Sequence, residues 1–322
     1  MSLAAALREI GRGREGARAL TQAQACEVFE QILEGQVSGV QLGAFCAAMR
    51  IKGETPAEML GFLQATALVQ RRQGLAWDDA GQMPVVLPSY NGSRRLPCLT
   101  PLLALLLAKR GVPVLVHGMP TEDGRVHAFD VFAQMGLRPG DRVEGADQPS
   151  LVHTASLSPG LADLLGLRRQ IGLRNSGHSL VKLMNPCAGP ALVVGSYTHP
   201  EYALSMRAVF EQGQAHALLL RGTEGEPVAD PRRAVAIDGF APGVCQRLQE
   251  VESGSVQVLP DLPAAYAAAT AEWTQAVLQG RRAAPASIVS QVEHVLAWRI
   301  RCLAGLEQSS QSQPREMSCI PN

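Results

Sequence analysis

No charge of either sign is in excess. Lys plus Arg and Asp plus Glu each total 29, so the formal net charge is zero and the chain as a whole does not attract a polyanion. Any surface for nucleic acid must therefore be local. The seven cysteines, at positions 26, 46, 98, 187, 245, 302 and 319, form no C-x-x-C pair and no Cys/His zinc spacing, and their number is odd. They read as small buried hydrophobes in a reducing compartment, which argues against a disulfide framework and against a zinc module. Long apolar runs are missing as well. The longest, over 99–108, holds a proline and falls far short of the roughly 20 residues a bilayer span needs. The start, 1–6, is too short an apolar stretch to serve as a signal peptide, and Arg8, Glu9 and Arg12 follow it at once. The expectation is a cytoplasmic protein without a membrane partner. There is no Ser-His-Asp set, no G-x-S-x-G and no internal repeat, so no residue is assigned as catalytic.

What is present is ample core material, 46% hydrophobic over 322 residues, at a length between one large domain and two ordinary ones. Residues 1–73 carry helical periodicity and no strand. Val28, Ile32 and Leu33 share a face, breaks fall at Gly35 and Gly53, and Thr55-Pro56 reads as a cap followed by a first-turn proline, so four short helices fit. From Met83 the pattern alternates short apolar strands with helices: strand 85–87, helix 99–110, strand 112–116, helix 127–135. Strands follow at 191–197 and 215–220, with a helix from Pro200 between them. That alternation predicts an α/β domain over 74–306 with a mostly parallel central sheet. The Arg-rich helical stretch 161–184 interrupts it and is expected to join the helical domain in space. Helices are expected over 263–279 and 287–304, and the polar tail 307–322 is expected to be disordered.

Three places could carry chemistry. The first βα turn of an open parallel sheet is where ligands usually bind, and here it contains Ser89, Tyr90, Asn91, Gly92, Ser93, Arg94 and Arg95. A phosphate cradle of inward backbone amides generally takes two or more glycines, and this loop has one, so it looks dismantled. It is a strand-exit turn with two solvated arginines, or a phosphate contact made by Arg94 and Arg95. The second place gathers Arg168, Arg169, Arg174, His178 and Lys182. If 176–184 is helical, His178 and Lys182 lie four apart on one face; the alternative is a solvated basic face. The third, Arg8, Arg12, Arg14 and Arg18, interleaves with Glu9 and Glu15 and reads as salt-bridge partners. Glu224 and Glu226 are the one acidic pair worth considering as metal ligands, and in a Gly-Pro loop they are expected to face water.

Taken in order, the Arg50-Ile51-Lys52-Gly53-Glu54-Thr55 stretch, the turn at 85–95, His117-Gly118, and Arg174 through Asn185-Pro186 resemble the anthranilate phosphoribosyltransferase superfamily, of glycosyltransferase family 3 fold. The resemblance spans most of the chain. It implies a small helical domain joined to a larger α/β domain, and a homodimer assembled through the helical domains. It also implies what is changed. Ser89-Tyr90-Asn91-Gly92-Ser93 stands where the enzymes hold pyrophosphate on Gly-Thr-Gly-Gly-Asp, and His117-Gly118-Met119 replaces their His-Gly-Asn. Their magnesium-binding Asp-Glu pair falls on Pro227 and Val228, which offer no carboxylate. Their acceptor segment keeps Arg174, Asn185 and Pro186 but gains His178 and Lys182.

The changes look most similar to the non-enzymatic, DNA-binding YbiB-type branch. The resulting expectation is a homodimer that binds nucleic acid with little sequence preference and needs no cofactor. Arg94, Arg95, Arg168, Arg169, Arg174, His178 and Lys182 would contact phosphates, in a cleft lined by Ser89, Tyr90, Asn91, Gly92, His117 and Gly118, with Tyr90 stacking on a base. The alternative is a phosphoribosyltransferase for an aromatic acceptor, with phosphoribosyl pyrophosphate and magnesium.

Overall fold

A computed structural model describes residues 1–78, 81–140, 147–253 and 260–311. The chain begins with helices α1 (Leu3–Ile10), α2 (Gly13–Gly16), α3 (Gln22–Leu33), α4 (Gly39–Lys52) and α5 (Pro56–Arg72). Three of the starts are written in the local sequence. Thr21, Ser38 and Thr55 each accept the amide three residues on, and the side chains of Gln24, Gln41 and Glu58 bond back to the cap amide, closing reciprocal capping boxes. Phe29, Phe45 and Phe62 fill the space between these helices, with the Phe29 and Phe62 rings stacked at 4.6 Å.

The second lobe runs β1 (Val85–Ser89), α6 (Thr100–Lys109), β2 (Val114–Gly118), α7 (Ala128–Gln134) and β3 (Ser150–His153). The chain then leaves the sheet through four short helices, α8 (Thr154–Leu157), α9 (Pro159–Gly166), α10 (Arg168–Ile171) and α11 (Gly177–Leu180). It returns as β4 (Leu192–Tyr197), α12 (Pro200–Gln212), β5 (Ala217–Arg221), β6 (Ile237–Ala241) and β7 (Val244–Gln249), and closes with α13 (Ala267–Leu278) and α14 (Ala286–Gln311). The sheet order is β3-β2-β1-β4-β5-β6-β7; the first five strands are parallel and the last two antiparallel. The architecture is thus a helical N-terminal domain and a larger α/β domain around a mostly parallel sheet.

The central strands are apolar throughout because both faces are covered, and successive side chains go to different cores. Val86 and Leu115 join the helical lobe's core, while Val85, Leu87, Val114 and Val116 join α6, α7, α13 and α14 on the other face. The α8–α11 excursion packs on the helical lobe: Gln70 donates to the Leu157 carbonyl and Ser176 Oγ to Glu54. This excursion separates β3 from β4, so β1 and β4 are neighbours whose chains wind away in opposite directions. The crevice at their carboxyl ends is the topological switch point, where open α/β sheets bind ligands.

The structure departs from expectation at several ends. The helix expected over 176–184 is one turn, Gly177–Leu180, and Lys182 follows in a tighter turn whose amide reaches Ser179. The β6–β7 hairpin is an addition that no sequence pattern announces. β7 is a half-exposed edge and therefore lacks the apolar pattern of the buried strands. Helix α14 continues through Gln311, past the domain end expected at 306, as an extension of a helix anchored by Ile288, Val292, Val295, Trp298 and Cys302; the rest of the expected disordered tail, 312–322, lies outside the described residues. Among the described residues no helix is long and apolar enough to cross a membrane.

Candidate functional site

The β1 exit loop, residues 89–96, lies at the switch point, and its donors converge on two carboxylates from the turn after β5. Glu226 is fully buried. It accepts Ser89 Oγ at 2.5 Å, Thr100 Oγ1 at 3.0 Å, and the backbone amides of Asn91 at 2.9 Å and Gly92 at 2.8 Å. Glu224 accepts the amides of Arg94 at 3.1 Å, Arg95 at 2.8 Å and Leu96 at 2.9 Å, and its other flank meets Arg125 at 3.3 Å. This corrects two expectations. Glu224 and Glu226 do not face water, and the cradle is not dismantled: a nest of amides and hydroxyls is present and carries an anion from its own chain.

The approach is close enough to constrain the backbone. Gly225 sits at φ +90°, and a Cβ there would lie 1.9 Å from Asn91 Nδ2, which instead donates to the Glu224 carbonyl at 3.0 Å. On the other side of β1, a Cβ on Gly118 would lie 1.9 Å from the Ser89 carbonyl oxygen. Glu224 itself adopts φ 51°, ψ 19°, a left-handed conformation that a non-glycine residue keeps only when its surroundings hold it there.

Tyr90 and His117 belong to the interior and do not line an open cleft. Tyr90 is 2% exposed, its hydroxyl lies 2.8 Å from His117 Nδ1 and accepts Thr154 Oγ1 at 2.9 Å, so it cannot stack on a base. Burial pushes the Tyr90 phenol up and the His117 imidazole down to about 3, and both stay neutral.

The arginines expected to form a basic run are largely matched by acids on the loop after β2. Glu122 gathers Arg125 at 3.1 Å, Arg168 at 3.0 Å and Arg174 at 3.4 Å, and Asp123 meets Arg169 at 3.1 Å. Partial burial raises the Glu122 carboxyl, but the Arg168 hydrogen bond and the surrounding guanidinium charges outweigh it and hold the group below its ordinary range. Arg125 is shared with Glu224, so three guanidinium groups meet two carboxylates and one positive charge is left in surplus. Arg94 and Arg95 differ: their amides serve Glu224, while their exposed side chains make no ion pair among the described residues. At the N-terminus Arg12 and Arg18 both pair with Glu9, at 2.7 and 3.8 Å.

His178 and Lys182 line a cavity of about 520 Å³ between the α4–α5 turn, α11 and α12, together with Arg50, Arg174, Ser179 and Tyr202. His178 is almost fully buried. Its Nδ1 lies 3.1 Å from Asn175 Oδ1, and its Nε2 is buried without a hydrogen-bond partner. Burial first, then the Arg174 and Arg168 charges, push its pKa down to about 4. Lys182 Nζ donates to the Gly225 carbonyl at 3.1 Å, tying the cavity wall to the acidic turn, and burial pushes the amine down to about 8. Reasoning from sequence missed the part played by Glu122, Glu224 and Glu226. The one available signal was a glutamate inside a Gly-x-x-Gly turn directly after a buried strand, and a second glutamate immediately following it.

Comparison with known proteins sets this arrangement in context. Over residues 4–67 the chain matches the family model described as glycosyl transferase family, helical bundle domain. It is 37% identical over 295 residues to the uncharacterized protein YbiB of Escherichia coli (strain K12), covering 89% of this chain and 91% of that one. The chain belongs to the YbiB family, among the homologues of anthranilate phosphoribosyltransferase. The anthranilate phosphoribosyltransferase of Methylocella silvestris is 27% identical over 284 residues, 85% of this chain and 79% of that protein. In fold, this YbiB-family chain is similar to the Thermus thermophilus enzyme, TM-score 0.70 at 20% identity over 93% of this chain and 89% of that one. It is also similar to the Saccharomyces cerevisiae enzyme in complex with PRPP and Mg, TM-score 0.59 at 14% identity over 97% and 89%.

The residues of this YbiB-family chain do not fit those two ligands. Pro227 and Val228 are buried and carry no side-chain oxygen, and Glu226 spends both carboxylate oxygens on four donors of the β1 exit loop and α6. The amides of the β1 exit loop are already held by Glu224 and Glu226.

Proposed function

We propose that this chain is a non-enzymatic, cytoplasmic nucleic-acid-binding protein, acting as a homodimer through its helical domains and contacting the phosphate backbone without reading sequence. One observation carries the proposal. The small-anion nest at the switch point is filled by Glu224 and Glu226, while the Arg94 and Arg95 side chains project from the rim of that same nest without an ion pair among the described residues. A site that excludes a compact phosphorylated substrate yet presents free guanidinium groups suits an extended polyanion that lies across the surface. Arg174, at the exit of α10, extends the positive strip as part of the surplus charge around Glu122, and the exposed Arg169 joins it on leaving Asp123. Zero net charge keeps such binding local and salt-sensitive. The buried thiols of Cys26, Cys46, Cys98 and Cys302 suit a reducing compartment.

The test is fluorescence anisotropy of a labelled single-stranded oligonucleotide, with an unrelated sequence and a duplex for comparison, across several salt concentrations. Sequence-indifferent binding is expected, with a log–log salt slope of about 0.7 per neutralised phosphate for single strands and about 0.9 for duplex. No binding at low salt would overturn the proposal.

A second function has one observation in its favour: the cavity lined by Arg174, His178 and Lys182, in a chain whose relatives include anthranilate phosphoribosyltransferases. Under it the chain transfers a phosphoribosyl group to an aromatic acceptor. Release of pyrophosphate from phosphoribosyl pyrophosphate with anthranilate and magnesium would establish it; the filled nest leads us to expect none.

A further inference from the structure

The donors around Glu224 and Glu226 are of the kind a bound phosphate takes: amides of successive residues in a turn, joined by hydroxyls. Ser89, Asn91, Gly92 and Thr100 serve one carboxylate, and the amides of Arg94, Arg95 and Leu96 serve the other. Nothing in this set selects a carboxylate over a phosphoryl group. Both are compact oxyanions with several acceptor positions, and both gain the charge-assisted hydrogen bonds such a nest offers.

We infer that the turn over 223–227 is a tethered oxyanion ligand: Glu224 and Glu226 stand in for phosphoryl groups, hold the 89–96 loop in an anion-binding shape, and keep small phosphorylated molecules out of it. This goes beyond the nucleic-acid proposal and does not depend on it. Three features of the turn support it. Glu224 keeps a left-handed backbone, at φ 51°, in the position from which its side chain reaches three consecutive amides. Gly225, at φ +90°, is the residue that lets the turn press against Asn91. Lys182 holds the Gly225 carbonyl, and Ser196 Oγ donates to the same oxygen at 2.8 Å, so the tether is also fixed by groups outside the loop. The loop's own glycine content is therefore a poor guide to whether it binds an anion. The decisive residues for phosphate exclusion lie more than a hundred positions downstream.

The experiment is thermal unfolding, backed by calorimetric titration, with inorganic pyrophosphate and orthophosphate against chloride at matched ionic strength. The wild-type protein, Glu224→Ala, Glu224→Gln and the double variant Glu224→Ala/Glu226→Ala are compared. Glu224→Ala frees the outer amides while leaving the buried carboxylate in place, so it serves where the double variant does not fold. We expect no response from wild type, a lowered Tm in Glu224→Ala that pyrophosphate raises by several degrees, and a measurable heat of binding in that variant and, where it folds, in the double variant. Glu224→Gln, which still places an acceptor oxygen on the amides, should respond little. A Glu224→Ala protein whose lost stability no phosphate restores would overturn the inference, as would wild type that takes up pyrophosphate as well as the variant does.

Discussion

Glu226 and Gly92 are 134 positions apart in sequence and share a hydrogen bond of 2.8 Å in the interior, the Gly92 amide donating to a carboxylate with no exposed surface. That bond locks the end of β1 to the turn after β5, across β4. Its removal should be felt globally. Glu226→Ala leaves four donors without an acceptor in a buried site, and the expected loss is roughly 3 kcal/mol or more, read from urea denaturation midpoints. Glu226→Gln, which keeps an acceptor oxygen, should lose less.

Arg94→Ala/Arg95→Ala should behave in the opposite way. The backbone amides that hold Glu224 survive the change and the side chains are exposed, so stability should stay within about 0.5 kcal/mol. Oligonucleotide affinity should fall for every sequence alike, and the salt slope should drop by about 0.7 on a single strand, or about 0.9 on duplex, for each phosphate that is no longer neutralised. An unchanged affinity would remove this loop from the binding surface.

Glu122→Gln should strengthen binding. The carboxylate engages Arg125, Arg168 and Arg174 together, and a neutral amide would release Arg168 and Arg174 to meet phosphate while Arg125 stays on Glu224. The expected gain is roughly fivefold in affinity, the factor that about 1 kcal/mol gives, measured by the same anisotropy titration at constant salt. A weaker complex would mean that Glu122 orders the arginines for binding and does not compete for them.

Acidification should destabilise the fold before the carboxylates titrate. His117 and His178 are held neutral, with pKa values pushed down by burial to about 3 and about 4 from an ordinary 6.5. Above pH 6.5 neither folded nor unfolded chain takes up these protons, and stability is full. Below it the unfolded chain binds them first, so stability falls as pH drops toward the folded values, by at most about 1.4 kcal/mol per pH unit for each histidine. Denaturation midpoints from pH 7.5 to 4.5 should show the decline, and His117→Gln should flatten it.

Much of this architecture was legible in the sequence because it follows from local rules. The helix starts at Thr21, Ser38 and Thr55 are capping boxes, and β1, β2, β4 and β5 are apolar runs of strand length between turn residues. The candidate site was less legible, because its character depends on which distant groups fold against each other. Arg94 and Arg95 were visible as cations, but not the fact that their amides and their side chains serve different purposes. Tyr90 has the look of a stacking ring in sequence, and only the fold shows Thr154 and His117 claiming its hydroxyl. Glu224 and Glu226 looked solvated because glutamate in a glycine-proline turn usually is, and no local pattern announces that seven donors lie waiting across the sheet.

The left-handed turn at Glu224 and its neighbour Gly225 carries one more consequence. A protein whose phosphate nest is filled from solution gains stability only as the logarithm of free ligand concentration, so its rigidity follows the supply of metabolite. Here the occupant is covalently attached, and its effective concentration is set by a few residues of chain. The β1 exit loop is thereby insulated from nutritional state: starvation for phosphate cannot empty it, and a surplus cannot saturate it further.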